Sequence, residues 1–68
     1  MNLKEIKKLD AYFKRTFQNP SLVVKTRPRE DDSCELYFGS EFLGVVYRDE
    51  DEGELSYHFS MAILEVDL

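Results

Sequence analysis

The side chains of this sequence that could do chemistry are His58 with Ser56 and Ser60 beside it, the single cysteine Cys34, and the acidic run 49–54. A serine nucleophile needs an adjacent base, and His58 is the only histidine. In an extended strand Ser56, His58 and Ser60 lie on the same side, which does not make a catalytic triad. The chain also has no glycine-rich phosphate loop and no His-x-x-x-His pair. We therefore expect neither enzymatic activity nor a cofactor.

The acidic run 49–54 is the one candidate for metal binding. Its carboxylate oxygens are the ligands that calcium prefers, but their spacing does not match the twelve-residue EF-hand loop. A lone cysteine excludes an internal disulfide and a cysteine zinc cluster. Cys34 belongs to an alternating apolar row and is predicted to be a small buried hydrophobe. We expect no metal site, and a solvated hairpin tip at the acidic run.

Length and composition indicate a single globular domain over residues 1–68. A chain of this size buries roughly 60% of its unfolded surface, so its stability is marginal and association would increase it. No apolar run approaches the roughly 18 residues of a membrane span. Residues 1–5 have no apolar signal core, so a cytoplasmic location is expected.

Charge is distributed unevenly along the chain. Residues 1–29 carry eight basic and two acidic side chains, whereas residues 30–68 carry one basic and twelve acidic ones. The favoured interpretation is that the two halves attract each other within one domain. The alternative is a nucleic-acid-related regulator, with a basic helix contacting phosphates or the acidic half mimicking nucleic acid. A pI of about 4.7 argues against phosphate binding.

A helix is predicted over residues 2–18. Asn2 and Glu5 have the spacing of a capping box, in which each side chain satisfies a backbone amide of the first turn. Pro20 cannot lie inside a helix and also disfavours helical geometry in the residue before it, so the helix ends just upstream. At about 100° per residue, one stripe is apolar and the opposite side is basic. The stripe consists of Leu3, Ile6, Leu9, Phe13 and Phe17, and the basic side carries Lys4, Lys8 and Arg15.

Four strands are predicted after the helix, over residues 21–28, 33–38, 41–48 and 55–66. Each run is rich in β-branched or aromatic residues and is bounded by turn-forming ones. The pair Gly39-Ser40 favours a two-residue hairpin turn because glycine accepts a positive φ. The predicted fold is α+β, with one N-terminal helix packed on a four-stranded antiparallel meander in the order 1-2-3-4.

The predicted hairpin turn sets the two faces of the sheet. With Gly39-Ser40 at its centre, Tyr37 lies opposite Phe42 and Leu36 lies opposite Leu43. The reverse face is then more apolar than a solvated face requires. The core face holds Cys34, Leu36, Phe38, Leu43, Val45 and Tyr47, and the reverse face holds Glu35, Tyr37, Phe42, Gly44, Val46 and Arg48.

The end of the chain adds a second apolar surface. Alternation places Tyr57, Phe59 and Met61 on one side, and the phase changes after Ile63. The apolar residues beyond that point extend the reverse-face patch or reach a partner chain. A homodimer is favoured over a monomer because a single chain has no second layer for this surface. The predicted interface residues are Val23, Tyr37, Phe42, Val46, Leu64, Val66 and Leu68.

Three stretches of the chain, 39–47, 49–54 and 57–64, resemble a family of small alphaproteobacterial proteins catalogued as domain of unknown function number 3126. The helix segment 9–12 and its exit 17–20 are similar as well. This resemblance implies a bacterial cytoplasmic protein with one compact domain, and it implies no activity and no functional residues. The function predicted from the residues is a small non-catalytic protein-interaction or assembly module that self-associates.

Overall fold

The computed structural model describes residues 1–68 as one α-helix followed by a four-stranded antiparallel sheet. The elements are α1 (Leu3–Thr16), β1 (Leu22–Thr26), β2 (Ser33–Phe38), β3 (Glu41–Asp51) and β4 (Glu54–Ser60), followed by a 3₁₀ turn at Glu65–Asp67. The strands lie in the order β1-β2-β3-β4, and the helix packs on one face of the sheet. The α+β prediction of one helix on a four-stranded meander is confirmed.

Local sequence sets both ends of α1. Asn2 Oδ1 accepts a hydrogen bond of 2.8 Å from the Glu5 amide, and Glu5 Oε1 accepts one of 3.3 Å from the Asn2 amide, which completes the predicted capping box. The helix ends at Thr16, earlier than predicted, because Gln18 adopts a left-handed φ of 49°. The Asn19 amide then donates back to the Lys14 carbonyl at 3.0 Å, as in a Schellman motif.

The hydrophobic core lies between α1 and the sheet. Ile6, Leu9 and Phe13 of the predicted stripe are buried, but Leu3 and Phe17 at its two ends are exposed. The helix runs along β1 and, at about 21 Å, is longer than the roughly 17 Å of that strand, so its ends overhang. The core residues are Ile6, Leu9, Phe13, Leu22, Val24, Cys34, Leu36 and Val46.

A β-bulge at Leu43 changes the predicted faces of β3. Tyr37 pairs with Phe42 as predicted, but Leu36 then pairs with Gly44 rather than Leu43. Every later residue of β3 therefore points to the opposite face from the prediction. The prediction that placed Val46 on the outer face is wrong, because its side chain is 1% exposed in the core. Val45 and Tyr47, predicted to be core residues, point outward, and Phe38 is also exposed.

The fourth strand ends at Ser60, six residues before the predicted end. Its last pair is Val45 with Ser60. A Cβ atom placed on Gly44 would lie 2.3 Å from the Ser60 carbonyl oxygen, so the chain passes directly against this glycine as it leaves the sheet. Only a residue without a side chain permits that approach. Residues 61–64 have no regular structure, and Met61 is exposed rather than packed under the helix.

The β1 edge of the sheet is tied to the helix by Asp10. Asp10 Oδ1 accepts a hydrogen bond of 2.9 Å from the Val24 amide, and Asp10 Oδ2 lies 2.5 Å from Lys14 Nζ. Burial raises the pKa of Asp10, but the bonds to Lys14 and Val24 outweigh it and hold the pKa below its usual value. Asp10 therefore fixes α1 along β1.

The single helix is too short and too polar to cross a membrane.

Candidate protein-interaction site

An open groove separates α1 from β4 on the helix side of the sheet. It exists because α1 runs along β1, at the sheet edge opposite β4. Its volume is about 480 Å³, which lies within the roughly 300–1,000 Å³ of common ligand clefts. We call it the helix–β4 groove. Its lining residues are Glu5, Lys8, Leu9, Tyr12, Phe13, Arg15, Phe17, Val46, Tyr57 and Phe59.

Aromatic side chains form the walls of the helix–β4 groove. Phe13 packs edge-on against Phe59 with a centroid distance of 5.8 Å and stacks on Phe17 at 6.0 Å. Phe13 is buried, whereas Phe17, Phe59 and Tyr12 remain exposed along the groove. The Arg15 guanidinium lies 5.6 Å from the Tyr12 ring centroid. With Lys8 also exposed, the groove has an apolar interior and a cationic rim on its helix side.

A polar cluster closes one end of the groove. Tyr57 Oη donates a hydrogen bond of 2.7 Å to Glu5 Oε2, and Arg48 Nε lies 3.2 Å from the same oxygen without hydrogen-bond geometry. The bond from Tyr57 is the main cause that lowers the pKa of Glu5, and the nearby Arg48 charge acts in the same direction. Burial raises the pKa of Tyr57, and the bond to Glu5 raises it further. This cluster positions β4 against the start of α1.

The outer face of the sheet carries a second, smaller apolar surface. Tyr37 and Phe42 pack edge to face at 5.7 Å, and Val23 pairs with Tyr37 across β1 and β2. Lys25 Nζ lies 4.5 Å from the Tyr37 ring centroid. The hydroxyl of Tyr37 donates to Glu35 Oε1 at 3.0 Å, which raises the pKa of Tyr37. Three of the four sheet residues predicted for an interface therefore share this face, and Val46 does not.

Residues 61–68 are the most exposed apolar segment of the chain. Val66 and Leu68 are 86% and 90% exposed, and Leu64 is also exposed. None of these residues belongs to the core or lines a cavity of its own chain. The predicted interface role of Leu64, Val66 and Leu68 remains a prediction, now for an irregular segment with a 3₁₀ turn at Glu65–Asp67 instead of a strand.

Ser56, His58 and Asp49 lie together on the exposed surface of the β3–β4 hairpin. Both Ser56 Oγ and Asp49 Oδ2 approach the same ring nitrogen, His58 Nε2, at 3.2 Å and 3.4 Å. A catalytic triad needs the hydroxyl and the carboxylate on opposite ring nitrogens, so that the histidine takes the proton while its orientation is held. The arrangement is therefore a surface contact across the hairpin, and it is not a proton relay.

Two other chemically notable features are structural. Cys34 is completely buried, and this burial raises the pKa of its thiol to about 11, so it is not a reactive thiolate. Only Glu52 and Gly53 of the acidic run 49–54 form the turn, since residues 49–51 are paired in β3. Their positive φ values are the pattern of a type I′ hairpin turn. No group of three or more histidine, cysteine, aspartate or glutamate side chains is arranged to hold a metal ion.

The sequence does not predict the helix–β4 groove. The prediction places Leu9, Phe13, Phe17, Tyr57 and Phe59 in one continuous core between the helix stripe and the sheet. The position of α1 over the sheet instead leaves a groove at these residues. One signal was present: Tyr12 and Phe17 flank Phe13 on the helix, which gives α1 a wider apolar surface than one narrow strand can cover.

Comparison with known proteins gives one match. The family model described as "Protein of unknown function (DUF3126)" matches residues 5–67. No curated protein and no solved structure matches the chain significantly.

Proposed function

This chain belongs to the DUF3126 family of proteins of unknown function, and from its surface we propose that it is a small, non-catalytic protein-interaction or assembly module that self-associates as a homodimer. One observation carries the proposal: thirteen large apolar side chains are exposed, against eight apolar residues in the core. Part of this surface is contiguous, at Tyr37 with Phe42 and along the helix–β4 groove, and monomeric proteins rarely leave large contiguous apolar patches uncovered.

Self-association is also favoured by the size of the domain. A core of eight apolar residues in 68 supplies little burial against the conformational entropy of folding. A two-fold interface buries the same patch on both copies, so each exposed apolar surface contributes twice. A cytoplasmic location is part of the proposal, and it is supported by Cys34, a buried free thiol without a disulfide partner.

Sedimentation velocity at micromolar concentration tests this function. The expected result is a species of twice the 8.0 kDa chain mass that dissociates on dilution. Phe42→Lys tests the outer face, and deletion of residues 64–68 tests the C-terminal segment. Thr26→Lys is the matched control, since Thr26 is exposed at the end of β1. A monomer at all concentrations, unaffected by these changes, would rule out the homodimer.

The nucleic-acid alternative is favoured by one observation. Lys4, Lys7 and Lys8 are exposed and make no ion pair within the chain. Only one of the five ion pairs, Arg27 with Glu35, joins a basic residue of 1–29 to an acidic residue of 30–68. The halves therefore do not neutralise each other through many close contacts.

Fluorescence anisotropy with labelled RNA and DNA distinguishes the two functions. A self-associating module should show no micromolar binding at physiological salt, because its net charge of −5 repels phosphates. Micromolar binding that is lost when Lys4, Lys7 and Lys8 are changed to glutamate would favour the nucleic-acid function instead. The same anisotropy assay with a basic protein as probe tests the acidic-mimic form.

A further inference from the structure

We infer that the helix–β4 groove of one protomer receives the C-terminal segment 61–68 of a second copy, and that the exchange is reciprocal. The inference rests on the proposed self-association and identifies its interface. It brings together the two surfaces that the single chain leaves unsatisfied: an open apolar groove and an exposed apolar segment.

The apolar surfaces of the groove and of the segment match each other. The groove presents exposed aromatic rings of Tyr12, Phe17 and Phe59 above the buried Phe13. The segment offers aliphatic side chains that are more than half exposed from Ile63 onwards. Aliphatic side chains against aromatic walls bury area on both partners, at roughly 25 cal/mol per Å². A peptide segment in a groove of this kind is a common mode of protein recognition.

The groove and the segment also carry complementary charges. Lys8 and Arg15 stand on the helix side of the groove, and Lys8 has no acidic partner in its own chain. The segment carries Glu65 and Asp67, and neither makes an ion pair in its own chain. A segment that alternates apolar and acidic residues fits an apolar groove with a basic rim, and charges of this kind set the orientation and partner.

A second copy is the source of the segment in this proposal. Phe59 lines the groove, and the chain passes directly against Gly44 immediately after it, at Ser60 and Met61. No residue of 61–68 lines the groove of its own chain, so the groove is open to the segment of a second copy. Reciprocal exchange then closes the assembly at two chains.

Disulfide trapping between two variants that each gain one cysteine tests the inference. Tyr12→Cys places a thiol in the groove and Val66→Cys places one in the segment, on chains with tags of different mass. Native Cys34 does not interfere because it is completely buried. A segment bound in the groove holds its Val66→Cys thiol near the Tyr12→Cys thiol at an effective concentration of about 1 mM. At a chain concentration of about 10 μM, the disulfide between them should therefore form about a hundredfold faster than by random collision. Lys8→Cys and Leu64→Cys provide a second pair in case one substitution disturbs the contact.

The control pair replaces the groove cysteine by Lys25→Cys, on the outer face of the sheet. It should cross-link to Val66→Cys only at the random rate. Adding Arg15→Glu to the groove chain should slow trapping, and adding Glu65→Lys to the segment chain should restore it. A faster reaction at Lys25 than at Tyr12 would overturn the inference, because the segment would then lie on the outer face.

The remaining outcomes separate this inference from the proposed function. A chain that carries both cysteines and cross-links only within itself overturns the second-copy assignment. A dimer by sedimentation that gives no groove-to-segment disulfide with either pair overturns the inference and leaves self-association intact. A monomer at every concentration overturns both.

Discussion

Tyr57 on β4 donates a hydrogen bond of 2.7 Å to Glu5 in the first turn of α1, joining residues 52 positions apart. Glu5 also completes the capping box with Asn2 through its other carboxylate oxygen. One side chain therefore both starts the helix and holds it to the last strand, and this contact closes the end of the helix–β4 groove.

Tyr57→Phe should lower the free energy of unfolding by about 1.5 kcal/mol at pH 7, because it removes a hydrogen bond to an ionised carboxylate. Urea unfolding followed by circular dichroism measures the change. Tyr47→Phe is the matched control, since its hydroxyl lies on the other face and makes no hydrogen bond within the protein. Equal effects of the two substitutions would show that the bond to Glu5 contributes nothing.

The same contact predicts a pH dependence. The folded pKa of Glu5 lies below its ordinary 4.5, so the stabilisation is present above pH 4.5 and is lost as the pH falls through the folded pKa. The folded pKa of Tyr57 lies above its ordinary 10.0, so its stabilisation is present below pH 10 and is lost as the pH rises through the folded pKa. The stability difference between wild type and Tyr57→Phe should therefore shrink at both extremes. A constant difference from pH 2 upwards would contradict this.

Val46→Thr should destabilise the protein by about 1 to 3 kcal/mol, because it buries a hydroxyl without an obvious partner at nearly constant volume. Val45→Thr should cost far less, since Val45 lies on the uncovered face of the sheet. Comparing the two midpoints of urea unfolding tests the β-bulge directly. A larger effect at Val45 would indicate that β3 has no bulge and that Val45 is the buried residue.

Gly44→Ala should destabilise the end of β4 by about 1 to 3 kcal/mol, because the new methyl group collides with the Ser60 carbonyl. Hydrogen exchange should become faster at residues 58–61. Gly39→Ala is the control: it strains a positive φ of 59° at a position where a Cβ atom meets nothing. Its effect on exchange should stay in the β2–β3 turn, and unchanged protection at 58–61 in Gly44→Ala would disprove the close approach.

Phe13→Ala should lower the free energy of unfolding by about 3 to 5 kcal/mol, which would leave so small a domain largely unfolded. Phe17→Ala, one helical turn later, should cost much less because Phe17 is 60% exposed. Thermal unfolding by circular dichroism measures both. An unchanged midpoint in Phe13→Ala would mean that α1 does not pack on the sheet as described.

The sequence alone determined the elements and their order, because these depend on local signals. The capping box at Asn2, the turn at Gly39 and the alternation of apolar residues each act within a few positions of the chain. The αββββ order followed from them. The predicted end of α1 is less accurate, because the helix ends where Gln18 adopts a left-handed φ that its residue type does not favour.

Only the tertiary structure decided which face of β3 is buried and how much of the sheet the helix covers. A single extra residue at Leu43 reversed the faces of β3 and moved Val46 into the core, and no local pattern marks such a bulge. The position of α1 along β1, fixed by the Asp10 bond to Val24, left the helix–β4 groove open. Both outcomes depend on contacts between residues far apart in sequence, since burial is a property of the packed layers and periodicity belongs to each strand or helix alone.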